Sequence, residues 1–372
     1  MNVKSAVLER YSEGASERQE SLCCPVDYDA SLLKLLPQEI IEKDYGCGDP
    51  SRYVQEGDIV LDLGSGSGKI CYMAAQLVGD KGKVIGIDMN DDMLALARKY
   101  QGEMTDKLGG DRVEFRKGHI QDLALNLAAM DAWLAENPVT DLEGAHQLEL
   151  WQTDQRKNRP LVADNSVDLI ISNCVLNLVG EHQKQQLAGE IFRVLKPGGR
   201  IAISDIVSDE PIPEHLKADD ELWSGCISGA FGEEEMMNAF YDVGFLSISL
   251  DKWDAKPWQV VEGIEFRSVT VTAVKASDEP CLDKGQAIIY RGPFKSVFDD
   301  EGHEFPRGAR MAVCERTFRH LTEGPQKNDF IGITPARERE AVTWCAPAGT
   351  RRSAKETKGG EHTQATKGSG CC

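Results

Sequence analysis

The chain has 372 residues, of which 41% are hydrophobic and 28% charged, values typical of a soluble globular protein with one large domain and a smaller one. Its net charge of −19 argues against a nucleic-acid surface, because such surfaces need clustered Lys and Arg. No run approaches the ~20 apolar residues of a membrane helix, and Met1–Arg10 lacks the apolar core of a signal peptide, so we expect a cytoplasmic, monomeric protein without a membrane partner.

Strands and helices alternate through most of the chain. Helical stretches are predicted at Ile70–Val78, at Asp92–Tyr100 and before Leu195, and they separate short hydrophobic strands. The predicted strands are Ile59–Leu63, Lys83–Asp88, Val113–Arg116, Val167–Ser172, Arg200–Ser204, Phe245–Leu250 and Ser268–Val274. The alternation predicts a Rossmann-like α/β fold with helices on both faces of a parallel sheet, and the short connection between the last two strands predicts an antiparallel closing pair.

Composition divides the chain into four parts. A helical lid is predicted over residues 1–56, the sheet domain over 57–276 and a small mixed domain over 281–345, beginning after the break Ser277–Pro280. Residues 346–372 have few apolar side chains, so we expect a disordered tail. Residues 123–163 form an acidic insertion to which the sequence assigns no role.

A glycine-rich loop follows the first strand and opens the next helix. Gly64, Gly66 and Gly68 are spaced G-x-G-x-G, unlike the dinucleotide pattern G-x-G-x-x-G, and Lys69-Ile70 excludes a P-loop. Asp88 ends the second strand, where a carboxylate can accept both ribose hydroxyls. The segment Gly118–Asp122, which contains His119 and Ile120, is placed to flank an adenine. An adenosine ligand without pyrophosphate fits S-adenosylmethionine; NAD binding and a nucleotide-free turn are the alternatives.

Eleven cysteines in a reducing compartment favour reactive or ligand thiols over a disulfide framework, and none forms a C-x-x-C pair. Cys71, Cys174 and Cys226 each follow a predicted strand, so we expect them at the sheet edge where ligands of α/β folds bind. Cys71 stands in the first turn of a helix, a position that favours the thiolate. Taken singly, each of these residues is equally well explained as a small buried core residue.

Three thiolates at one edge suit a trivalent metalloid, whose soft acceptor orbitals match sulfur. A metalloid held by sulfur keeps a lone pair, which can attack a sulfonium methyl in line and displace the thioether. No proton must be removed, so no base is required and catalysis is mostly orientation. Tyr72 is a candidate aromatic wall for the sulfonium, with ordinary packing as the alternative. The adjacent pairs Cys23-Cys24 and Cys371-Cys372 are candidates for capturing a metalloid. For Cys371-Cys372, in the tail, the alternative is a solvated, disordered chain end without a role.

Residues 20 to 320 resemble the arsenite methyltransferases, S-adenosylmethionine-dependent enzymes with a seven-stranded class I methyltransferase sheet. The resemblance rests mainly on three cysteines, Cys71, Cys174 and Cys226, and on the segment Ser172-Asn-Cys-Val-Leu-Asn-Leu178. Further matching segments are Cys23–Tyr28, Tyr45–Gly48, Val60–Lys69, Ile87–Met89 and Gly225–Gly229. The family often has Glu before the third cysteine, where this chain has Gly225.

The resemblance implies that Cys174 and Cys226 hold As(III), in the form of arsenite or methylarsenite, and that Cys71 either joins them as a ligand or relays oxidation. It implies that Cys47 pairs with Cys71. The two thiols give two electrons to arsenic as they form a disulfide, which returns arsenic to the trivalent state, and glutathione or thioredoxin then reduces the disulfide. The resemblance and the ends of the predicted strands together indicate the residues that bind the cofactor. They are Asp62, Gly64, Gly66, Gly68, Tyr72, Asp88, Met89, Ile120 and Asn173. The expected products are methyl- and dimethylarsenicals.

Two other functions fit parts of the sequence. A methyltransferase of an organic substrate such as a quinone precursor would need the glycine loop but not Cys174 or Cys226. A protein that sequesters As(III) without turnover would need the thiols but not the glycine loop or Asp88.

Overall fold

The computed structural model describes residues 3–17, 19, 26–344, 347 and 349–358. The chain divides into two compact units, Met1–Ala276 and Ser277–Cys372, so the break predicted at Ser277–Pro280 lies at this division. The pairs Cys23-Cys24 and Cys371-Cys372 lie outside the described residues.

The first unit is built on a sheet with seven principal strands. Its strands are β1 Ile59–Leu63, β2 Lys83–Asp88, β3 Val113–Lys117, β4 Val167–Asn173, β5 Leu195–Ser208, β6 Phe231–Gly232, β7 Phe245–Trp253, β8 Gln259–Val261 and β9 Ile264–Lys275. The order is β3-β2-β1-β4-β5-β9-β7, with β6 beside β5 and β8 beside β9. Strands β1 to β5 are parallel, whereas β9 is antiparallel to both β5 and β7. The predicted parallel sheet with an antiparallel closing pair is therefore confirmed.

Helices cover both faces of this sheet. They are α1 Val3–Ser16, α2 Ala30–Leu33, α3 Gln38–Glu42, α4 Lys69–Leu77, α5 Asp91–Lys99, α6 Gln101–Leu108, α7 Leu127–Glu136, α8 Leu142–Asn158, α9 Lys184–Val194, α10 Glu214–Lys217, α11 Asp220–Ser224 and α12 Glu233–Tyr241. Short 3-10 turns stand at Pro50–Tyr53, Leu176–Leu178 and Glu181–Gln183. Among the described residues, no helix has the length and apolar character needed to cross a membrane.

The hydrophobic pattern of the strands explains why the sheet is covered on both sides. In β1, Leu61 and Leu63 join one buried cluster, whereas Val60, which directly precedes Leu61, joins the cluster on the other face. Successive side chains of a strand point to opposite faces, so a continuous apolar run needs two layers of helices. All three side chains are fully buried.

The acidic insertion at 123–163 contains two helices, α7 and α8. Trp133 of α7 stacks on Trp151 of α8 with ring centroids 5.6 Å apart. The contact pairs the two helices, although most of their other side chains are exposed.

The second unit is a small mixed domain. Its elements are β10 Leu282–Asp283, β11 Ala287–Tyr290, β12 Ser296–Phe298, β13 Glu304–Pro306, β14 Met311–Ala312, α13 Glu315–Glu323, β15 Phe330–Ile333, β16 Val342–Thr343 and α14 Ala354–Thr357. Residues 350–358 were predicted to belong to a disordered tail, but the structure gives them helix α14 and a buried Arg352. The guanidinium of Arg352 lies 2.6 Å from the Asp283 carboxylate, which supplies a partner that apolar content alone does not reveal.

Candidate active site

The carboxyl ends of the parallel strands open into a cavity of about 490 Å³. This volume suits a small-molecule ligand, and the sheet edge is where open α/β folds bind theirs. The cavity is walled by the loop after β1, the end of β2, the segment after β3 and one face of α1. The predicted cofactor residues that line it are Gly64, Gly66, Asp88, Met89 and Ile120.

Asp88 presents a carboxylate that the main chain holds in place. Its Oδ2 accepts a hydrogen bond from the Gly66 amide at 2.8 Å, and its Oδ1 accepts one from the Asn90 amide at 2.9 Å. Burial raises the pKa of this carboxyl, while the surrounding backbone amides oppose the rise. Each oxygen can accept a further hydrogen bond, so the side chain suits the two hydroxyls of a ribose.

The glycine loop turns tightly against the strand beside it. Gly64 has φ +70°, and a Cβ added there would lie 2.4 Å from Cγ1 of Val175, so only glycine fits. Gly68 does not line the cavity but precedes α4 and packs on Phe115. Asp62 and Asn173 border an adjoining space of about 40 Å³, which Cys174 also lines.

Helix α1, which belongs to the segment predicted as a lid (residues 1–56), lines one side of the cavity. Asn90, at the start of α5, donates from its side chain to the Leu8 carbonyl at 3.1 Å. Arg10 donates to the Ser224 hydroxyl at 2.8 Å, which ties α1 to α11. The lid therefore contacts both the cofactor side of the cavity and the turn that precedes Cys226.

His119 is a further contact of the lid. Its Nε2 lies 2.9 Å from Nζ of Lys4, and burial, followed by the charge of Lys4, lowers its pKa to about 4. The neutral imidazole accepts from the lysine, and among the described residues its buried Nδ1 has no partner. That nitrogen is therefore available to a ligand in the cavity that His119 lines.

Three cysteines share one buried cluster, namely Cys47, Cys174 and Cys226. The Sγ atoms of Cys47 and Cys174 and a carboxylate oxygen of Asp205 all lie within 4.8 Å of one another. The Cys226 thiol donates to the Cys174 carbonyl at 3.3 Å. The structure thus brings together two predicted arsenic ligands and the thiol predicted to act in redox chemistry.

Asn173 fixes the position of Cys47. Its Oδ1 accepts from the amides of Cys47 and Gly48, both at 2.9 Å, and its Nδ2 donates to the Gly48 carbonyl at 2.9 Å. A Cβ at Gly46 would lie 1.9 Å from that Nδ2. The motif Gly-Cys-Gly therefore lets the lid segment approach the end of β4 closely enough to place a thiol there.

Cys174 and Cys226 both adopt left-handed backbone conformations, with φ of +66° and +62°. Cys174 follows β4, where its amide donates to the Ser204 carbonyl at 2.8 Å, and Cys226 follows the Gly225 that ends α11. The left-handed conformation costs about 1–2 kcal/mol for a residue with a Cβ. Such strain is concentrated at functional sites, and here it occurs at two thiols of one cluster.

Cys71 lies apart from this cluster. It is buried in the apolar layer that packs around α4, and its thiol donates to Oδ2 of Asp62 at 3.2 Å. The helix position predicted a thiolate, but burial and the neighbouring carboxylates raise the pKa of Cys71 well above its usual range. Burial likewise raises the pKa of Asp62 to about 7. The thiolate expected at Cys71 is therefore not what this environment favours.

Tyr72 also turns away from the cavity. It is fully buried, its hydroxyl donates to the Ala97 carbonyl at 2.7 Å, and its ring packs edge-on against Phe115. The interpretation of Tyr72 as a sulfonium wall is corrected to its packing alternative. Two larger aromatic residues, Tyr11 of α1 and Trp223, line the cavity instead, and the Tyr11 hydroxyl is hydrogen-bonded to the Cys226 thiol.

Sequence reasoning missed Tyr11 and Asp205. Asp205 directly follows the predicted strand Arg200–Ser204, the same signal that identified Asp88. It is fully buried and accepts from the amides of Leu176 and Ile206, both at 2.8 Å. Burial raises its pKa to about 6.

Known proteins match both units. A methyltransferase-domain family matches residues 55–152 and 140–244, and a domain of unknown function matches residues 277–362. The chain is 32% identical to an arsenite methyltransferase of Aquipseudomonas alcaligenes over 84% of each protein, and 30% identical to that of Mus musculus over 89% of this chain and 80% of the relative. A crystal structure of an arsenic(III) S-adenosylmethionine methyltransferase from Chlamydomonas reinhardtii is 28% identical, covers 86% of this chain and all of the solved one, and has a TM-score of 0.54.

Proposed function

The chain belongs to the arsenite methyltransferase family, and on that premise we propose that Cys47, Cys174 and Cys226 hold the trivalent arsenic that it methylates. The chain is an S-adenosylmethionine-dependent methyltransferase whose methylation of arsenic serves detoxification. The observation that carries the proposed ligand set is the buried group of three thiols beside a cavity suited to an adenosine ligand.

The cavity residues fit S-adenosylmethionine. Asp88 offers fixed acceptors for the ribose, Met89 and Ile120 offer apolar surface for the adenine, and Nδ1 of His119 lacks a partner among the described residues. When bound, S-adenosylmethionine supplies an electrophilic methyl group on a cationic sulfur. We assign Tyr11 as the aromatic residue that faces this charge, since it lines both the cavity and the narrow space beside Cys174.

The thiol cluster supports a reaction that depends on orientation. Each thiol replaces one hydroxyl group of arsenite, and its proton goes to the departing oxygen, which leaves as water. Held in this way, arsenic would keep a lone pair opposite its sulfur ligands, and bound S-adenosylmethionine would supply the methyl group that this pair takes up, with a neutral thioether as the leaving group. Because no proton would have to be removed, the thiols and the cavity residues need only orient the two reactants, and no general base is required.

Each methyl transfer oxidises arsenic by two electrons. We propose that two thiols supply them by forming a disulfide, with Cys47 as one partner. The resemblance implies Cys71 as the other, whereas the short separation from Cys47 supports Cys174. An external thiol, glutathione or thioredoxin, would then reduce the disulfide. Mass spectrometry of tryptic peptides after one turnover without reductant distinguishes a Cys47–Cys174 link from a Cys47–Cys71 link.

We further propose a monomer that acts in the cytoplasm without a nucleic-acid partner. The acidic net charge of −19 supports the last point. Sedimentation equilibrium tests the oligomeric state, and a dimer would contradict this proposal.

Arsenite binding to single variants tests the ligand set. In equilibrium dialysis without cofactor, we expect Cys174→Ser and Cys226→Ser to lose one bound arsenite relative to the parent, and Cys71→Ser to keep it. S-adenosylmethionine binding, measured by calorimetry, verifies that each variant retains its cavity. Loss of arsenite in Cys71→Ser alone would overturn the proposed ligand set.

A further inference from the structure

Asp205 is a buried carboxylate whose partners are backbone amides. It is fully buried, and the positive charge that acts on it is that of Lys184, which forms no salt bridge with it. Its Oδ2 accepts from the Leu176 amide and its Oδ1 from the Ile206 amide, which fixes the orientation of the carboxylate. Buried charges in proteins are generally paired with an opposite charge or coordinate a metal.

A cation site fits beside this carboxylate. One Asp205 oxygen lies within 4.8 Å of the Sγ atoms of both Cys47 and Cys174, and all three residues are buried. Zinc binds thiolate at about 2.3 Å and carboxylate at about 2.0–2.2 Å, so ligand atoms in a tetrahedral site lie roughly 3.5–3.8 Å apart. Inward shifts of about 1 Å therefore bring these three atoms to ligand spacing.

The donor set differs from the one that arsenic prefers. Trivalent arsenic is soft and takes sulfur, whereas zinc and cadmium accept a mixed set of thiolates and carboxylate. Two thiolates and one carboxylate carry three negative charges, which attract a divalent cation. The backbone amides that hold the Asp205 carboxylate act as the orienting partners typical of metal sites.

We propose that Cys47, Cys174 and Asp205 form a binding site for a divalent d¹⁰ cation such as Zn²⁺ or Cd²⁺, and that this cation excludes arsenite. Binding converts two thiols to thiolates and releases their protons to solvent. The cation binding stands independently of the proposed function, and only the exclusion of arsenite rests on it.

Cadmium titration of the reduced full-length chain tests the site. Cadmium–thiolate bonds absorb in the ultraviolet, so binding is followed without S-adenosylmethionine, arsenite or turnover. We expect the tightest equivalent of Cd²⁺ to bind at least about 10-fold more weakly in Asp205→Asn and in Cys47→Ser. Cys314→Ser removes a buried thiol of the other unit and should leave this equivalent unchanged.

Several outcomes would overturn the proposal. They are unchanged cadmium affinity in Asp205→Asn with native circular dichroism, unchanged affinity in Cys47→Ser, and loss of the tight equivalent in Cys314→Ser. If Asp205→Asn does not fold, Cys47→Ser decides the matter.

In a second measurement, Zn²⁺ should raise the apparent arsenite KM of the parent without changing S-adenosylmethionine affinity. If the chain binds cadmium as expected but does not methylate arsenite, the proposed function is wrong and the proposed cation site is still supported.

Discussion

The contact between the Gly-Cys-Gly motif and Asn173 is testable by adding one methyl group. In Gly46→Ala, the new Cβ would lie 1.9 Å from Nδ2 of Asn173, so the amide must move. Movement breaks three hydrogen bonds to Cys47 and Gly48, each of 2.9 Å. At about 0.5–1.5 kcal/mol net for each bond, the free energy of unfolding should fall by about 1.5–4.5 kcal/mol.

The same displacement moves the Cys47 thiol relative to Cys174. A misplacement of about 1 Å costs on the order of 100-fold in an orientation-dependent reaction, so we expect a comparable loss of arsenite methylation. Urea unfolding followed by tryptophan fluorescence gives the stability, and chromatography of the arsenic products gives the rate.

Gly102→Ala is the matched control. Gly102 is exposed within α6, and an added Cβ would meet nothing within 4 Å. The free energy of unfolding of this variant should therefore rise by about 0.5–1 kcal/mol, and its arsenite methylation rate should equal that of the parent. An unfolding midpoint and rate in Gly46→Ala that match the parent would refute the assigned role of the glycine.

Three further predictions concern the cavity, the thiol environment and the lid. Asp88→Ala removes the ribose acceptor, so S-adenosylmethionine affinity measured by calorimetry should fall about 10–150-fold, the equivalent of about 1.5–3 kcal/mol; a change below threefold would contradict this role. The folded-state pKa of Asp62 is about 7, above the ~3.9 of an aspartate in an unfolded chain, so the folded protein holds this proton more tightly. The contribution of Asp62 to the free energy of unfolding is therefore complete below about pH 4 and is lost as the pH rises to 7. Asp62→Asn should therefore flatten the fall in unfolding free energy between pH 4 and 7, and a fall as steep as the parent's would count against a buried acid. Arg10→Ala removes the hydrogen bond that ties α1 to the Ser224 hydroxyl, at the turn before Cys226, so the arsenite KM should rise several-fold while S-adenosylmethionine affinity changes less; equal losses of both would show a general effect on folding.

The strands were predictable because their signal is local. Buried runs such as Ile59–Leu63 carry apolar side chains for both faces, and the structure has β1 at that position. Helix α8 was not predicted because its apolar residues are few and do not follow a helical stripe. Strand β5 starts earlier and ends later than predicted because its ends pair with β4 and β9, which local sequence does not specify.

The site was predictable at strand ends and less so elsewhere. Asp88 ends one strand and Cys174 follows another, so the sheet itself brings them to one edge. Cys71 and Tyr72 lie on α4, where side-chain direction depends on how the helix packs, and both turn toward the core. Tyr11 reaches the cavity through the docking of α1, a contact between distant parts of the chain that no spacing encodes.

Arsenic speciation tests the central claim most directly. The protein would be incubated with arsenite, S-adenosylmethionine and glutathione beside its Cys174→Ser variant, and products would be separated by chromatography and identified by mass spectrometry. We predict methyl- and dimethylarsenicals from the parent and none from the variant, although the variant should bind S-adenosylmethionine normally. Methylated arsenic from Cys174→Ser at the parent's rate would contradict the assignment of the thiol cluster as the arsenic site.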